Sequence, residues 1–180
     1  TNPENPGETL GKIADVIRNY GDKVVGVGMS CPGPLDLING QILTPPNLRG
    51  DWQHLHVAQE LSDRIGLPVY LNNDGNLAAL AEAVIGEGKD YRFVQFLTVS
   101  TGIGAGFVID KNIYQGAHGW ANEVENTIMK QGGPCHGSIL PGGIEGISSG
   151  TAITTRARKA GLDVKHAGEV NDLAKAGNET

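Results

Sequence analysis

Charge, sulfur and long apolar runs are all scarce in this chain. Only 19% of its 180 residues are charged, with 14 basic against 20 acidic side chains. The net charge of −6 excludes a surface built to coat nucleic acid, because neutralising phosphates takes clustered Lys and Arg, and no such run exists. Two cysteines, Cys31 and Cys135, exclude a disulfide scaffold and lead to the expectation of a reducing, cytoplasmic setting. The most apolar window, Phe93 to Ile109, is broken by Gln95, Thr98, Ser100, Thr101 and three glycines. A membrane span needs roughly 18 unbroken apolar residues, so neither a membrane segment nor a leader is expected.

What the chain has in excess is glycine, 27 of 180 residues, against 9 prolines. The glycines fall repeatedly just after apolar, β-branched runs, where backbone must turn or approach something closely. That pattern reads as an α/β protein with several glycine-rich strand exits.

Asn5-Pro6-Gly7-Glu8 has the signature of a helix start, and Leu10, Ile13, Ile17 and Tyr20 recur at helical spacing up to Gly21. Lys23 to Ser30 reads as a buried strand that Cys31-Pro32-Gly33-Pro34 ends. Asn39-Gly40, between Leu35–Ile38 and Gln41–Leu43, predicts a hairpin, and Thr44-Pro45-Pro46-Asn47 a rigid loop. Leu55, Ala58, Leu61 and Ile65 predict a second helix closed by Gly66, followed by a strand over Pro68–Leu71. An alanine-rich helix is expected from about Leu77 to Ile85, then a linker over Gly86–Asp90. Beyond it come a strand over Phe93–Val99, a glycine turn over Ser100–Gly106, and short strands at Phe107–Ile109 and Ile113–Tyr114. Residues 115–148 read as irregular and too long for an idle loop. Ser149-Gly150-Thr151 opens a helix to Ala160, and a last helix is expected near Gly168–Ala176.

Three places carry chemistry. Asn73-Asp74 falls between a strand and a helix start, where Asp74 serves either as an N-cap or as a general base at the carboxyl end of a parallel strand. Asn72, Asn73 and Asp74 in a row suit a ligand rich in hydroxyls. Thr98 to Gly106 sets hydroxyls and alternate glycines after a strand, which reads either as a phosphate-facing loop or as a tight hairpin turn. Glu123 and Glu145 are isolated acids in the irregular stretch, either solvated or ligand-facing. Cys135-His136 lacks the four local ligands of a zinc finger.

The order of these pieces resembles the ROK family of sugar kinases and repressors. The match runs through Gly26-Val27-Gly28, Pro32-Gly33, Pro46-Asn47-Leu48 with Trp52, Leu67-Pro68-Val69 and Asn73-Asp74-Gly75-Asn76-Leu77-Ala78-Ala79. It continues through Thr101-Gly102-Ile103-Gly104-Ala105-Gly106 and Ser149-Gly150-Thr151-Ala152, and so covers nearly all of the chain. The resemblance implies an α/β, actin-like ATPase (ribonuclease H-like) fold, two domains with the active site in the cleft between them. Residues 1–86 would be part of the smaller N-terminal domain and 87–180 part of the larger C-terminal one. It implies Asp74 as catalytic base towards a sugar hydroxyl, with Gly33, Asn73, Glu123, Asn126 and Glu145 at the sugar. Thr101 and Gly102 would sit at the ATP phosphates and Gly150 near the nucleotide, with Mg²⁺ as cofactor and a homodimer as the assembly.

Three departures qualify the expectation. The family's Glu-x-Gly-His is Glu123-Val124-Glu125-Asn126 here, and its cysteine-rich run becomes His136 to Glu145, keeping only the terminal acid. The histidine and the cysteines go together, so no structural zinc is expected, and the acceptor pocket differs from that of a strict glucokinase. The family's first phosphate loop, Asp-x-Gly-Gly-Thr, is not in this sequence. The 180 residues are therefore expected to be a portion of a longer kinase that does not catalyse well unaided. Expected acceptors are glucose, N-acetylmannosamine, fructose or a β-glucoside. The competing expectation is a sugar-sensing regulator domain without catalysis, which would need a helix-turn-helix that this stretch does not contain.

Overall fold

A computed structural model describes residues 4–45 and 48–177. Pro46 and Asn47, from the expected rigid loop and from the Pro46-Asn47-Leu48 match, lie outside the described residues.

Helix α1, Pro6–Arg18, begins as its sequence specifies: Asn5 Oδ1 accepts the Glu8 N–H at 3.0 Å, with Pro6 in the first turn. It buries Leu10 and Ala14, and α2 (Val57–Ile65) packs against it through Val57 and Leu61. Each fully buried Leu contributes on the order of 1.5–3 kcal/mol. Tyr20, which the helical spacing counted on the apolar face, is exposed because the helix has already ended. A single 3₁₀ turn at Gly21–Lys23 delays the next strand, so β1 runs from Val27 to Cys31 rather than from Lys23.

The hairpin forms between β2 (Leu35–Asp36) and β3 (Gln41–Ile42), but four residues join the strands. Asp36 Oδ1 accepts the Ile38 and Asn39 N–H groups, both at 3.0 Å, and this side-chain turn displaces a two-residue Asn39-Gly40 connection. Strand β4 (Val69–Asn73) lies parallel to β1, with Cys31 opposite Asn73, so both strands finish at the same end.

Helix α3, Asp74–Val84, follows β4 with no loop between them and starts earlier than the expected Leu77. Asn73, not Asp74, is its N-cap: Asn73 Oδ1 accepts from Gly75 N–H at 2.7 Å and Asn76 N–H at 3.3 Å. That frees the Asp74 carboxylate from the capping role.

The second sheet is antiparallel, in the order β5 (Phe93–Val99), β6 (Ile103–Ile109), β7 (Asn112–Ile113). The turn is confined to Ser100–Gly102, whereas the sequence reading extended it to Gly106. Gly104 and Gly106 are instead strand residues, and Gly106 serves close approach: a Cβ there would lie 2.8 Å from Ala79 Cβ on α3. Small residues let the helix settle on the sheet, burying Ala79, Ala83 and Val108 together. Thus α3 precedes residue 86 in the chain but shares its core with strands that follow it. The other apolar cluster, around Leu35, Ile42, Trp52, Leu61 and Leu71, belongs to the segments before α3.

After β7 the backbone is irregular to Gly143 apart from an Ile128–Gly143 bridge. A short helix that the sequence reading missed, α4 (Ile144–Ser148), leads into α5 (Gly150–Lys159) and then α6 (Ala167–Lys175). Five residues containing Gly146 show no periodicity, which is why α4 left no signal. Ser149 caps α5, its Oγ accepting the Ala152 N–H at 3.1 Å.

Candidate functional site

The site is built where the parallel strands end. Asp74, the first residue of α3, is exposed, and its Oδ1 accepts its neighbour Gly75's N–H at 2.9 Å. Its Oδ2 makes no hydrogen bond within the described residues, so one carboxylate oxygen is open to solvent chemistry. Asn73 spends its carbonyl on the cap and turns its Nδ2 towards Gly33, where a Cβ would lie 3.5 Å away. A donor and a basic oxygen therefore stand side by side at the strand ends.

Two further groups feel the Asp74 charge. Cys31, half-buried at the end of β1, has its thiol pushed up to about 11 by burial first and by Asp74 second. The Glu123 carboxyl is raised above the ordinary carboxylate range by partial desolvation, then by Glu125, then by Asp74. Glu123 keeps exposed surface, so this is a carboxyl at the rim of the site rather than one in a core. The structure thus brings Asp74, Glu123 and the unforeseen Cys31 and Glu125 into one electrostatic neighbourhood. Glu125 had no separate signal in the sequence, and Cys31 was legible only as an unpaired thiol.

Glu145 and Asn126 are held by backbone. Glu145 Oε2 accepts the Ile103 N–H at 2.7 Å, and its Oε1 lies 4.0 Å from His136 Nε2. The Glu145 N–H donates to Glu125 O at 3.2 Å, tying the two acidic segments together. Asn126 Oδ1 accepts the Leu140 N–H at 2.7 Å while its Nδ2 donates to Glu125 Oε1 at 3.3 Å. Asn126 therefore braces the 138–142 loop through its amide oxygen and steadies the Glu125 carboxylate through its amide nitrogen. His136 Nε2 is also 3.4 Å from Ser149 Oγ. Among the described residues no three His, Cys, Asp or Glu side chains are grouped as metal ligands.

On the other side of the β5–β6 turn lies a cavity of about 590 Å³, lined by Ser100, Thr101, Gly150, Thr151, Arg158 and Lys165 among others. The strand exit and α5 are stitched together here. Ser100 O accepts the Gly150 N–H at 2.8 Å, and Thr101 O accepts from Thr151 Oγ1 at 2.8 Å and N–H at 3.3 Å. With Ala152 N–H on Ser149 Oγ, the first amides of α5 already have partners. Polar recognition in this cavity falls to hydroxyls and to basic side chains. Arg158 Nε donates to Val164 O at 2.7 Å, which fixes the turn that carries Lys165 and His166 into the lining. Gly102 is not in that lining but packs against Glu145. Neither Arg158 nor Lys165 was foreseen, because lone basic residues without a motif carry no positional signal.

Known proteins of similar sequence and fold identify the family. A glucokinase of Thermotoga maritima is 32% identical over 169 residues, 93% of this chain and 53% of that protein. A putative xylose repressor of Caldicellulosiruptor sp. is 39% identical over 101 residues, 56% of this chain and 25% of the repressor. The ROK hexokinase from Thermus thermophilus matches with a TM-score of 0.82 at 31% identity, over 94% of this chain and 58% of that one. A ROK family glucokinase from Streptomyces griseus, solved with glucose and AMPPNP, matches with a TM-score of 0.74 at 27% identity, over 99% of this chain and 62% of that one. The chain spans about half the length of the glucokinase it matches and a quarter of the repressor. No helix among the described residues is long and apolar enough to cross a membrane. The fold is α/β of the actin-like ATPase class, and the ROK family matches residues 1–180 throughout: the chain belongs to that family.

Proposed function

We propose that this chain is part of an ATP-dependent sugar kinase, with Asp74 as the base. The observation that carries the reading is the Asp74 carboxylate, released from capping by Asn73 and presenting an unbonded Oδ2 where β1 and β4 end. The acceptor hydroxyl would give its proton to that oxygen as its own oxygen bonds the γ-phosphorus and the bond to the ADP leaving group breaks. Asn73 Nδ2, Glu123, Asn126, Glu145 and Gly33 would face the acceptor and Thr101 and Gly150 the nucleotide, with Gly102 packed against Glu145 between them. Hydroxyls and the Lys165 ammonium suit the phosphates of ATP in the 590 Å³ cavity. Mg²⁺ would be held chiefly by the ATP phosphates and water and would neutralise phosphate charge, leaving Asp74 to act as the base. A hexose or hexoside acceptor, a cytoplasmic setting and a homodimer belong to the same proposal, as does a domain division near residue 86, with α3 packed across it onto the later strands.

A sugar-responsive regulator is the second reading, favoured by the 39% identity to a putative xylose repressor. A panel of glucose, N-acetylmannosamine, fructose and a β-glucoside, assayed with ATP and Mg²⁺ on the full-length protein, decides between them. Turnover lost in Asp74→Asn supports the kinase, and sugar binding without turnover in wild type supports the regulator.

A further inference from the structure

We propose that Trp120 is a positioning residue for the acceptor subsite, clipping the Glu123-bearing loop to the strand that follows Gly33. This rests on the kinase reading only for the identity of the ligand. The Trp120 indole N–H donates to Leu35 O at 2.9 Å, a contact between residues 85 apart in sequence. Leu35 opens β2, two residues after Gly33, and is itself buried. Trp120 stays 56% exposed, so burial of apolar area does not account for its placement; a directed hydrogen bond does.

The backbone around it is shaped for that contact. Gly119 has φ +81°, and a Cβ on it would lie 3.4 Å from Leu37 Cδ1, so the loop rests against the hairpin. The Ala121 N–H closes the turn onto Gln115 O at 3.2 Å, and Gly116 and Asn122 take positive φ on either side. Glu123 follows three residues after the clip and lies in the field of Asp74. Between β7 and the Ile128–Gly143 bridge the chain has no regular element, so the indole hydrogen bond and the Gly119–Leu37 approach tie the loop to the hairpin.

The test uses the full-length protein and two variants. Trp120→Phe keeps a ring and removes the donor, while Trp120→His keeps an N–H at the equivalent ring position. Calorimetric titration with the sugar that wild type binds should show its Kd raised about five- to tenfold in Trp120→Phe, the worth of one hydrogen bond. Affinity for AMPPNP should stay within about twofold, and Trp120→His should recover most of the loss. Hydrogen exchange across residues 115–125 should quicken in Trp120→Phe and not in Trp120→His. A folded Trp120→Phe with unchanged sugar affinity, or with both affinities weakened alike, overturns the proposal. Should wild type bind no sugar, the kinase reading fails by itself. The exchange measurement then still decides the clip, and equal exchange in wild type and Trp120→Phe refutes it. If Trp120→Phe does not fold, Trp120→His with weakened sugar affinity refutes it and with wild-type affinity supports it.

Discussion

Glu145 Oε2 accepts the Ile103 backbone N–H at 2.7 Å, which couples the two sides of the proposed active site through one carboxylate. Ile103 begins β6 immediately after the turn that would face the nucleotide, while Glu145 is assigned to the acceptor. Gly102 makes the contact feasible, because a Cβ there would sit 2.5 Å from Glu145 Oε2. One oxygen of Glu145 is thereby committed to the fold, leaving Oε1 as the one more available to a sugar hydroxyl.

Removing that carboxylate should therefore cost stability as well as affinity. Glu145→Ala strands the Ile103 N–H in a buried strand and should lower unfolding free energy by about 1–3 kcal/mol. Glu145→Gln retains an oxygen acceptor and should cost less than about 1 kcal/mol. Urea unfolding of the two variants separates the roles: equal losses would mean that the hydrogen bond to Ile103 contributes nothing.

Asp74→Asn tests the chemistry with little disturbance to the fold. The new amide still offers Oδ1 to the Gly75 N–H, and the helix cap belongs to Asn73. Turnover should fall by about 10²–10⁴-fold, the usual worth of a positioned base, while sugar affinity changes by only a few-fold. Retained turnover in Asp74→Asn would remove this residue from the chemistry.

Much of this arrangement was legible in the sequence for identifiable reasons. The α1 start was readable because Asn5, Pro6 and Glu8 act locally, and the amide cap duly forms. The strand-to-helix junction at Asn73-Asp74 was readable too, but the division of labour between them was not. Either side chain caps a helix, and only the backbone angle at Asn73 decides which one does. The glycines at 104 and 106 misled because a turn and a tightly packed strand ask for the same residue. At Gly106 what separates them is the close approach of Ala79, on a helix far upstream, and at Gly104 it is Thr98 on the neighbouring strand. Asn126 reads as a pocket residue by position in the family pattern, yet its amide is engaged by Leu140, a contact that depends on how the irregular loop folds back.

The two cysteines should differ sharply in reactivity. Cys31 is pushed up to about 11, so only about a thousandth of it is thiolate at pH 8, whereas Cys135 is exposed. A thiol-reactive disulfide reagent should label Cys135 quickly and Cys31 slowly in the native protein, then both quickly in denaturant. Because Asp74 is the second cause of the shift, Asp74→Asn should quicken Cys31 labelling modestly, with burial still dominant. Mass spectrometry of the labelled peptides reads each site, and equal native rates would contradict the described burial.

Glu123 supplies a pH test whose sign is fixed. Its carboxyl is raised by partial desolvation, by Glu125 and by Asp74, so the folded chain holds that proton at a pH where the unfolded chain has released it. Its contribution to stability is therefore best below the ordinary glutamate value and declines as pH rises through the raised one. Glu123→Gln removes both the repulsion and the slope. At pH 7 it should be more stable than wild type, by less than about 1 kcal/mol because the residue keeps exposed surface and is screened. The difference should close on acidification, when wild type is protonated in both states. Sugar affinity should move the other way, since the amide loses the charge-assisted hydrogen bond that a carboxylate makes to a hydroxyl. Thermal unfolding of both proteins between pH 4 and 8 measures the first effect, and parallel curves would show that neither burial nor the neighbouring acids raise the Glu123 carboxyl.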